Sequence, residues 1–325
     1  MASEKTQLKE EKVAIIGSGF IGCSWAMLFA ASGYKVSMFD VNPDQVANAL
    51  ENILSQLKNL EKLGLLRGTL SVEEQYQRIS KTVTLESCVT GAVYVQESVP
   101  ENLELKKEVL KSIDLYLSNE ALLASSASCI VPSKISEELK HRNQMFVAHP
   151  VNPPFFAPAV ELVPAPWTDS KIMNKAEKIM NEIGQVPIQL KKECDGFLIN
   201  RIQYAILQAS WQIIKEDIVS VEGLDKVMSE GLGFRYAFIG PLETAYLNAN
   251  GMLDYAERYA DTINRVQKTF SPPEKFEGPI LERLQRELSA KVPMSDLDKR
   301  RKWRDSHMAG LAKLKKNMSS EFSTT

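Results

Sequence analysis

At 325 residues, with 44% apolar and 25% charged side chains, the chain has the makeup of a globular protein of about two domains. A net charge of −2 gives no global attraction to nucleic acid or to an anionic membrane, and no apolar run approaches bilayer length. The cysteines, Cys23, Cys88, Cys129 and Cys194, form no Cys-x-x-Cys pair, so neither a disulfide framework nor a metal site is expected.

The first eleven residues mix acids with lysines and lack the apolar core of a secretory signal, and the final Ser-Thr-Thr is no peroxisomal address. A reducing cytoplasm is the expected compartment. Lys12-Val-Ala-Ile-Ile then reads as a short buried strand that stops at Gly17. Gly17-Ser-Gly19-Phe20-Ile21-Gly22 follows, with Trp25, Leu28, Phe29 and Ser32 at helical spacing and a second strand ending in Asp40. This β-α-β unit sets Gly-x-Gly-x-x-Gly in the context of a dinucleotide site. Gly17 permits the sharp turn, Gly19 lets the backbone approach a pyrophosphate, and Gly22 brings the helix close to the sheet. The first helical amides, at Phe20, Ile21 and Gly22, and the positive end of the helix dipole then face the phosphates. An ordinary tight turn is the plainer alternative. Asp40 is placed to accept from ribose hydroxyls. The extra phosphate of NADP would sit about 4 Å from that carboxylate, a repulsion of about 4 kcal/mol at an intermediate dielectric. NAD is therefore the expected cofactor.

Asn42-Pro43-Asp44 marks a helix start, and Val46, Ala49, Leu50, Ile53, Leu54, Leu57, Leu60 and Leu63 mark one face of a long helix ended by Gly64 and Gly68. Ser71-Val-Glu-Glu74 predicts a capping box. Strands follow at 92–96, 121–125 and 145–148, with helices at 103–117 and near 133–139 between them. Such alternation implies a parallel sheet with right-handed crossovers and ligands outside the C-terminal strand ends. Gly17–Gly22, Glu97–Glu101, Ser125–Ser128 and His149 all fall at those ends. Strands at 159–163 and 186–190 bracket a helix near 170–183. Beyond Asp195-Gly196 the pattern is helical only, at 197–214, 221–229, 242–247, 253–269 and 279–288. The expected fold is α/β, a doubly wound Rossmann-type sheet over residues 1–194 followed by an all-α domain over 195–325, with an unstructured tail at Ser319–Thr325.

Each of the three histidines has its own context. His141 and His307 lie among charged residues and read as solvated surface groups. His149 stands at a strand end above the cofactor crevice. An imidazole is suited to taking a hydroxyl proton near neutral pH, and an alcohol cannot become a ketone without losing that proton. A hydrogen-bonded structural histidine is the alternative. Glu161 interrupts an apolar strand, so it is expected to be partly buried and to need a partner, such as the imidazole. A surface-facing strand residue is its plain reading. Ser128 is placed to hydrogen-bond a substrate oxygen or to close a turn. Arg235 interrupts an apolar, glycine-rich stretch, where its guanidinium is suited to a carboxylate; a surface or dimer-interface ion pair is its rival reading. Lys299-Arg-Arg-Lys-Trp-Arg304 reads as a solvated helix face rather than a nucleic-acid site.

Taken together, Gly17–Gly22, Asp40, Glu101-Asn-Leu-Glu-Leu-Lys106, Ala124–Ser128, His149 with Asn152-Pro153, Glu161, Asp195-Gly-Phe-Leu-Ile-Asn200-Arg201 and Gly240-Pro-Leu-Glu243 resemble the 3-hydroxyacyl-CoA dehydrogenase family across nearly the whole chain. The resemblance implies a catalytic His149–Glu161 pair, with Ser128 and Asn200 on the substrate. It also implies Glu101 and Lys106 near the nicotinamide side of NAD, a small hydroxy-acid substrate and a homodimer built through the helical domain. Family members that take acyl-CoA usually carry two aromatics after the histidine. Pro150-Val151 stand here instead, and Ser128-Cys129 replaces a serine pair. His149–Pro154, Trp303-Arg-Asp305 and Gly231–Glu243 resemble more closely a branch acting on a free sugar acid, which makes L-gulonate, oxidised at its 3-hydroxyl, the expected substrate. A 3-hydroxyacyl-CoA or 3-hydroxybutyrate dehydrogenase stays open, as does a structural protein that has kept an enzyme fold. A Ser128–His149–Glu161 hydrolase fits less well, because no Gly-x-Ser-x-Gly elbow surrounds Ser128.

Overall fold

A computed structural model describes residues 5–319. Of the tail expected at Ser319–Thr325, Ser319 ends a helix instead, and residues 320–325 lie outside the described residues. The chain divides into two compact units, Met1–Arg201 with Met308–Lys313, and Ile202–His307 with Leu314–Thr325.

Among the described residues, the first unit contains a sheet of eight strands in the order β3-β2-β1-β4-β5-β6-β7-β8. They are β1 (Lys12–Ile16), β2 (Lys35–Phe39), β3 (Ile79–Lys81), β4 (Ala92–Glu97), β5 (Leu122–Ser125), β6 (Met145–Pro150), β7 (Ala159–Pro164) and β8 (Val186–Gln189). From β3 through β6 every pairing is parallel; β7 runs antiparallel to β6, and β8 is parallel to β7. The helices are α1 (Phe20–Ala31), α2 (Pro43–Lys62), α3 (Val72–Gln77), α4 (Leu85–Val89), α5 (Leu103–Asp114), α6 (Pro132–Ser136) and α7 (Ser170–Glu182). The Ser71–Glu74 capping box forms as its residues predict.

Both faces of the sheet are covered, which is why its central strands read as unbroken apolar runs. Along β1, Val13 and Ile15 enter one core with Trp25, Phe29, Ile53 and Met180. Ala14 and Ile16 enter the other with Leu110, Ile113 and Ile135. Strand β3 and helix α4 went unpredicted. A three-residue edge strand offers too few positions to show a period of two.

The second unit is helical: most of α8 (Ile199–Lys215), then α9 (Val221–Val227), a π-helical turn (Met228–Leu232), α10 (Gly233–Tyr236), α11 (Pro241–Leu247), α12 (Met252–Gln267), α13 (Pro279–Lys291) and most of α14 (Leu297–Ser319). Trp211 stacks on Phe276 with centroids 4.5 Å apart and anchors this unit. Large apolar side chains nevertheless stay exposed, among them Ile202, Phe234, Phe238, Tyr246, Leu247 and Leu253.

Candidate active site

The turn after β1 has the geometry its glycines suggest. Gly17 sits at φ +101°, and a Cβ there would lie 2.6 Å from the Ser98 carbonyl oxygen. A Cβ at Gly22 would lie 2.0 Å from the Gly17 oxygen, so α1 can approach β1 only because Gly22 lacks a side chain. Gly19 differs. A Cβ there would meet nothing within 4 Å, so protein packing does not account for its bareness. Gly19 is also the N-cap of α1 and no side chain caps it, which leaves the first helical amides, at Phe20 and Ile21, to a ligand. Asp40 follows β2 directly. Its Oδ2 accepts from the Ser18 amide (2.9 Å) and hydroxyl (2.8 Å), and its Oδ1 accepts from the Asn42 amide (3.2 Å). An open cradle, uncapped amides and a fixed carboxylate fit a dinucleotide. Behind them, burial pushes the Cys23 thiol up to about 11, and its sulfur donates to the Ser18 carbonyl.

His149 and Glu161 meet because β7 reverses direction. The antiparallel register sets the two residues directly opposite each other on β6 and β7, with side chains on one face. His149 Nδ1 lies 2.7 Å from Glu161 Oε2, and Glu161 is fully buried. The other carboxylate oxygen accepts the amides of Leu198 (2.6 Å) and Ile199 (3.0 Å) at the start of α8. Both carboxylate oxygens of Glu161 are thus engaged, one by the imidazole and one by two amides. A carboxylate so held accepts the Nδ1 proton, which fixes the tautomer with Nε2 as the basic nitrogen. Among the described residues nothing hydrogen-bonds to that Nε2, and the ring packs beside Phe197.

Ser128 and Asn200 also come together: the Asn200 amide donates to the Ser128 carbonyl oxygen (2.8 Å) and contacts Cys129 Sγ (3.4 Å). These links to Ser128 and Glu161 hold the opening of α8 to the sheet, and the first compact unit runs to Arg201. Glu101 accepts the amides of Ser128 (2.9 Å) and Cys129 (3.0 Å). Lys106 is only 1% exposed. Its ammonium binds both Glu97 oxygens (3.0 and 3.2 Å) and the Val99 carbonyl oxygen (3.1 Å), with Glu101 at 3.6 Å. The structure thus places Lys106 within a buried ion pair, and Glu97, its partner, carried no signal in the sequence beyond standing at a strand end.

His141 corrects the reading of a solvated residue. It is 6% exposed, with Nδ1 2.8 Å from Asp114 and Nε2 3.1 Å from Asn119. Its sequence neighbours are charged, but its partners come from the end of α5 and the turn after it. His307 and the basic turn at 299–304 are exposed on α14. Arg235 is exposed on α10 and has no ion-pair partner among the described residues. No group of three or more His, Cys, Asp or Glu among the described residues could hold a metal ion, and no helix is long and apolar enough to cross a membrane.

Comparison with known proteins names the architecture. Residues 12–194 match the 3-hydroxyacyl-CoA dehydrogenase NAD binding domain, and residues 196–286 match the C-terminal domain of the same family. The chain belongs to the 3-hydroxyacyl-CoA dehydrogenase family. Its cofactor is NAD. It is 48% identical to a lambda-crystallin homolog of Rattus norvegicus over 94% of this chain and 97% of that one. An L-carnitine dehydrogenase of Staphylococcus epidermidis is 32% identical over 81% of each chain. The fold is shared with an NAD+-dependent dismutase, 5-formyl-3-hydroxy-2-methylpyridine 4-carboxylic acid 5-dehydrogenase, at a TM-score of 0.80 and 23% identity, covering 95% of this chain and 98% of that one.

Proposed function

We propose that this family member oxidises the 3-hydroxyl of a free hydroxy acid, with L-gulonate, giving 3-dehydro-L-gulonate, as the preferred reaction. The observation that carries the reading is the His149–Glu161 pair, in which Nδ1 is engaged at 2.7 Å and Nε2 meets no hydrogen-bond partner among the described residues. His149 Nε2 takes the proton of the C3 hydroxyl while Glu161 steadies the imidazolium through Nδ1. NAD, when bound in the cradle at Gly17–Gly22 and Asp40, supplies the acceptor for the hydride that leaves C3. The Ser128 hydroxyl and the Asn200 side chain hold the oxygen as it becomes a carbonyl. Base catalysis of this kind is worth about 10²–10⁴-fold, and placement must supply much of the remainder.

The free-acid reading rests on Pro150-Val151 and Ser128-Cys129 at positions where acyl-CoA members of the family differ, and on the kinds of relative found. Carnitine and gulonate share a 3-hydroxyl and a free carboxylate. Arg235, on α10 after the π-helical turn and without an ion-pair partner among the described residues, is the proposed partner of that carboxylate. An Arg235→Ala enzyme with an unchanged KM for gulonate would remove it from the site. A homodimer through the helical domain is proposed as well, because α12 buries none of its residues within the chain and apolar residues of α8, α10 and α11 face solvent.

The test is NADH formation with L-gulonate and 3-hydroxybutyryl-CoA side by side. Turnover of gulonate supports the reading. Turnover of the thioester alone keeps the mechanism and overturns the substrate. NAD binding without turnover of either would favour a structural role.

A further inference from the structure

Among the described residues, two that are not glycine hold a positive φ: Asp217 at +55° and Phe197 at +49°. Asp217 follows the C-terminus of α8. Its amide donates to the Ile214 carbonyl oxygen (3.1 Å) and the next amide to that of Ile213 (3.1 Å), the usual left-handed close of a helix. Aspartate also tolerates that conformation better than most side chains. Neither reason covers Phe197. It is a bulky residue, it stands before α8 rather than after it, and its Cβ crowds the following carbonyl.

Backbone strain of this kind persists where the surroundings over-determine it, and the contacts of Phe197 do so. Its amide donates to the Cys194 carbonyl oxygen (3.0 Å), which closes a turn through Asp195 and Gly196. Its ring is fully buried in the core that holds Val163 and Leu190, with its centroid 5.6 Å from that of the His149 imidazole. The next two amides, of Leu198 and Ile199, both turn to one oxygen of Glu161. A left-handed residue in a turn lets successive amides converge on a single anion. Phe197 therefore meets both members of the pair, the glutamate through the backbone it directs and the histidine through its ring.

We propose that Phe197 is a positioning residue for the His149–Glu161 pair, and that its left-handed backbone, beyond its apolar bulk, sets the glutamate and through it the imidazole tautomer. The effect on turnover rests on the proposed role of His149 as the base. Amide exchange and imidazole chemical shifts, read on the full chain, test the positioning independently of any substrate.

Leucine and isoleucine at position 197 make the comparison, because they contain the same atoms and differ only in where they branch. A β-branched residue is a genuine outlier at positive φ, whereas leucine meets the same restriction as phenylalanine. The kcat should fall by no more than about fivefold in Phe197→Leu but by about 10²-fold in Phe197→Ile, the size of effect that a misplacement of about 1 Å produces, with the Kd for NADH within about twofold in both. The Leu198 and Ile199 amides should exchange at least about tenfold faster in Phe197→Ile than in Phe197→Leu. The Nδ1 and Nε2 shifts of His149 should stay those of one tautomer in Phe197→Leu and move toward a mixture of two in Phe197→Ile. Should Phe197→Ile not fold, Phe197→Gly and Phe197→Ala ask the same question of a truncated side chain. Glycine adopts positive φ freely, so Phe197→Gly should keep the greater kcat and the slower exchange at 198–199, although it removes more of the core. Equal exchange and equal tautomer shifts in Phe197→Leu and Phe197→Ile would overturn the proposal, as would a Phe197→Gly protein no better than Phe197→Ala. Faster exchange and mixed tautomers in Phe197→Ile, in a protein whose parent oxidises no 3-hydroxy acid, would sustain the positioning role and defeat the functional reading alone.

Discussion

Two histidines in the first unit are each paired with a carboxylate, and they teach opposite lessons. His141 and His149 are nearly equal in burial, at 6% and 7% exposed. Both place Nδ1 within 2.8 Å of a carboxylate oxygen. The difference lies at the other nitrogen: His141 Nε2 meets the Asn119 oxygen at 3.1 Å, whereas His149 Nε2 meets no partner among the described residues. The carboxylates differ too. Asp114 also accepts the amides of Lys140 and His141 and so ties down a surface turn. Glu161 accepts the first amides of α8, a helix whose opening turn also carries Asn200. One pair is closed on itself and joins two stretches of chain. The other keeps one nitrogen available for chemistry.

That contrast can be broken most forcefully at His149. Replacing it by glutamine should lower kcat by about 10²–10⁴-fold while the thermal midpoint stays close to that of the parent. Glu161→Gln should come next, at about 10²-fold or more. A glutamine amide can donate to Nδ1, which moves the ring proton to Nε2 and removes the base. Comparing Nδ1 and Nε2 chemical shifts in that variant would show the tautomer change directly. At His141 the expectation reverses. His141→Gln should leave kcat within about twofold but destabilise the fold by about 1.5–3 kcal/mol, the usual worth of buried hydrogen bonds to a charged group. Thermal denaturation and steady-state kinetics on the two histidine variants, run together, separate the roles. A His141→Gln protein that loses activity in step with His149→Gln would erase the distinction.

Much of the fold was legible because its signals are local. Gly17, Gly19, Gly22 and Asp40 lie within one β-α-β unit, and the apolar runs of β1, β4, β5 and β6 are long enough to announce buried strands. His149 was legible from its place at a strand end. Glu161 was readable as a buried acid, since it interrupts Ala-Val-Glu-Leu-Val, but its partner depends on the antiparallel turn between β6 and β7. Only that reversal sets it opposite His149. His141 was misread because a surface-like sequence context says nothing of Asp114 and Asn119, which arrive from elsewhere in the chain. Glu97 and Lys106 are nine residues apart across a loop and a helix start, a spacing with no periodic signature. The opening of α8 is likewise tied to Glu161 and Ser128 by contacts that span 37 or more positions in sequence.

The central claim is that His149 removes the hydroxyl proton as hydride leaves for NAD. It is tested most directly by single-turnover NADH formation from L-gulonate in the parent enzyme and in His149→Gln, with NADH affinity measured on both. The account predicts a loss of about 10²-fold or more in the transfer rate and an affinity changed by less than about twofold. Transfer at the parent rate in His149→Gln would contradict it.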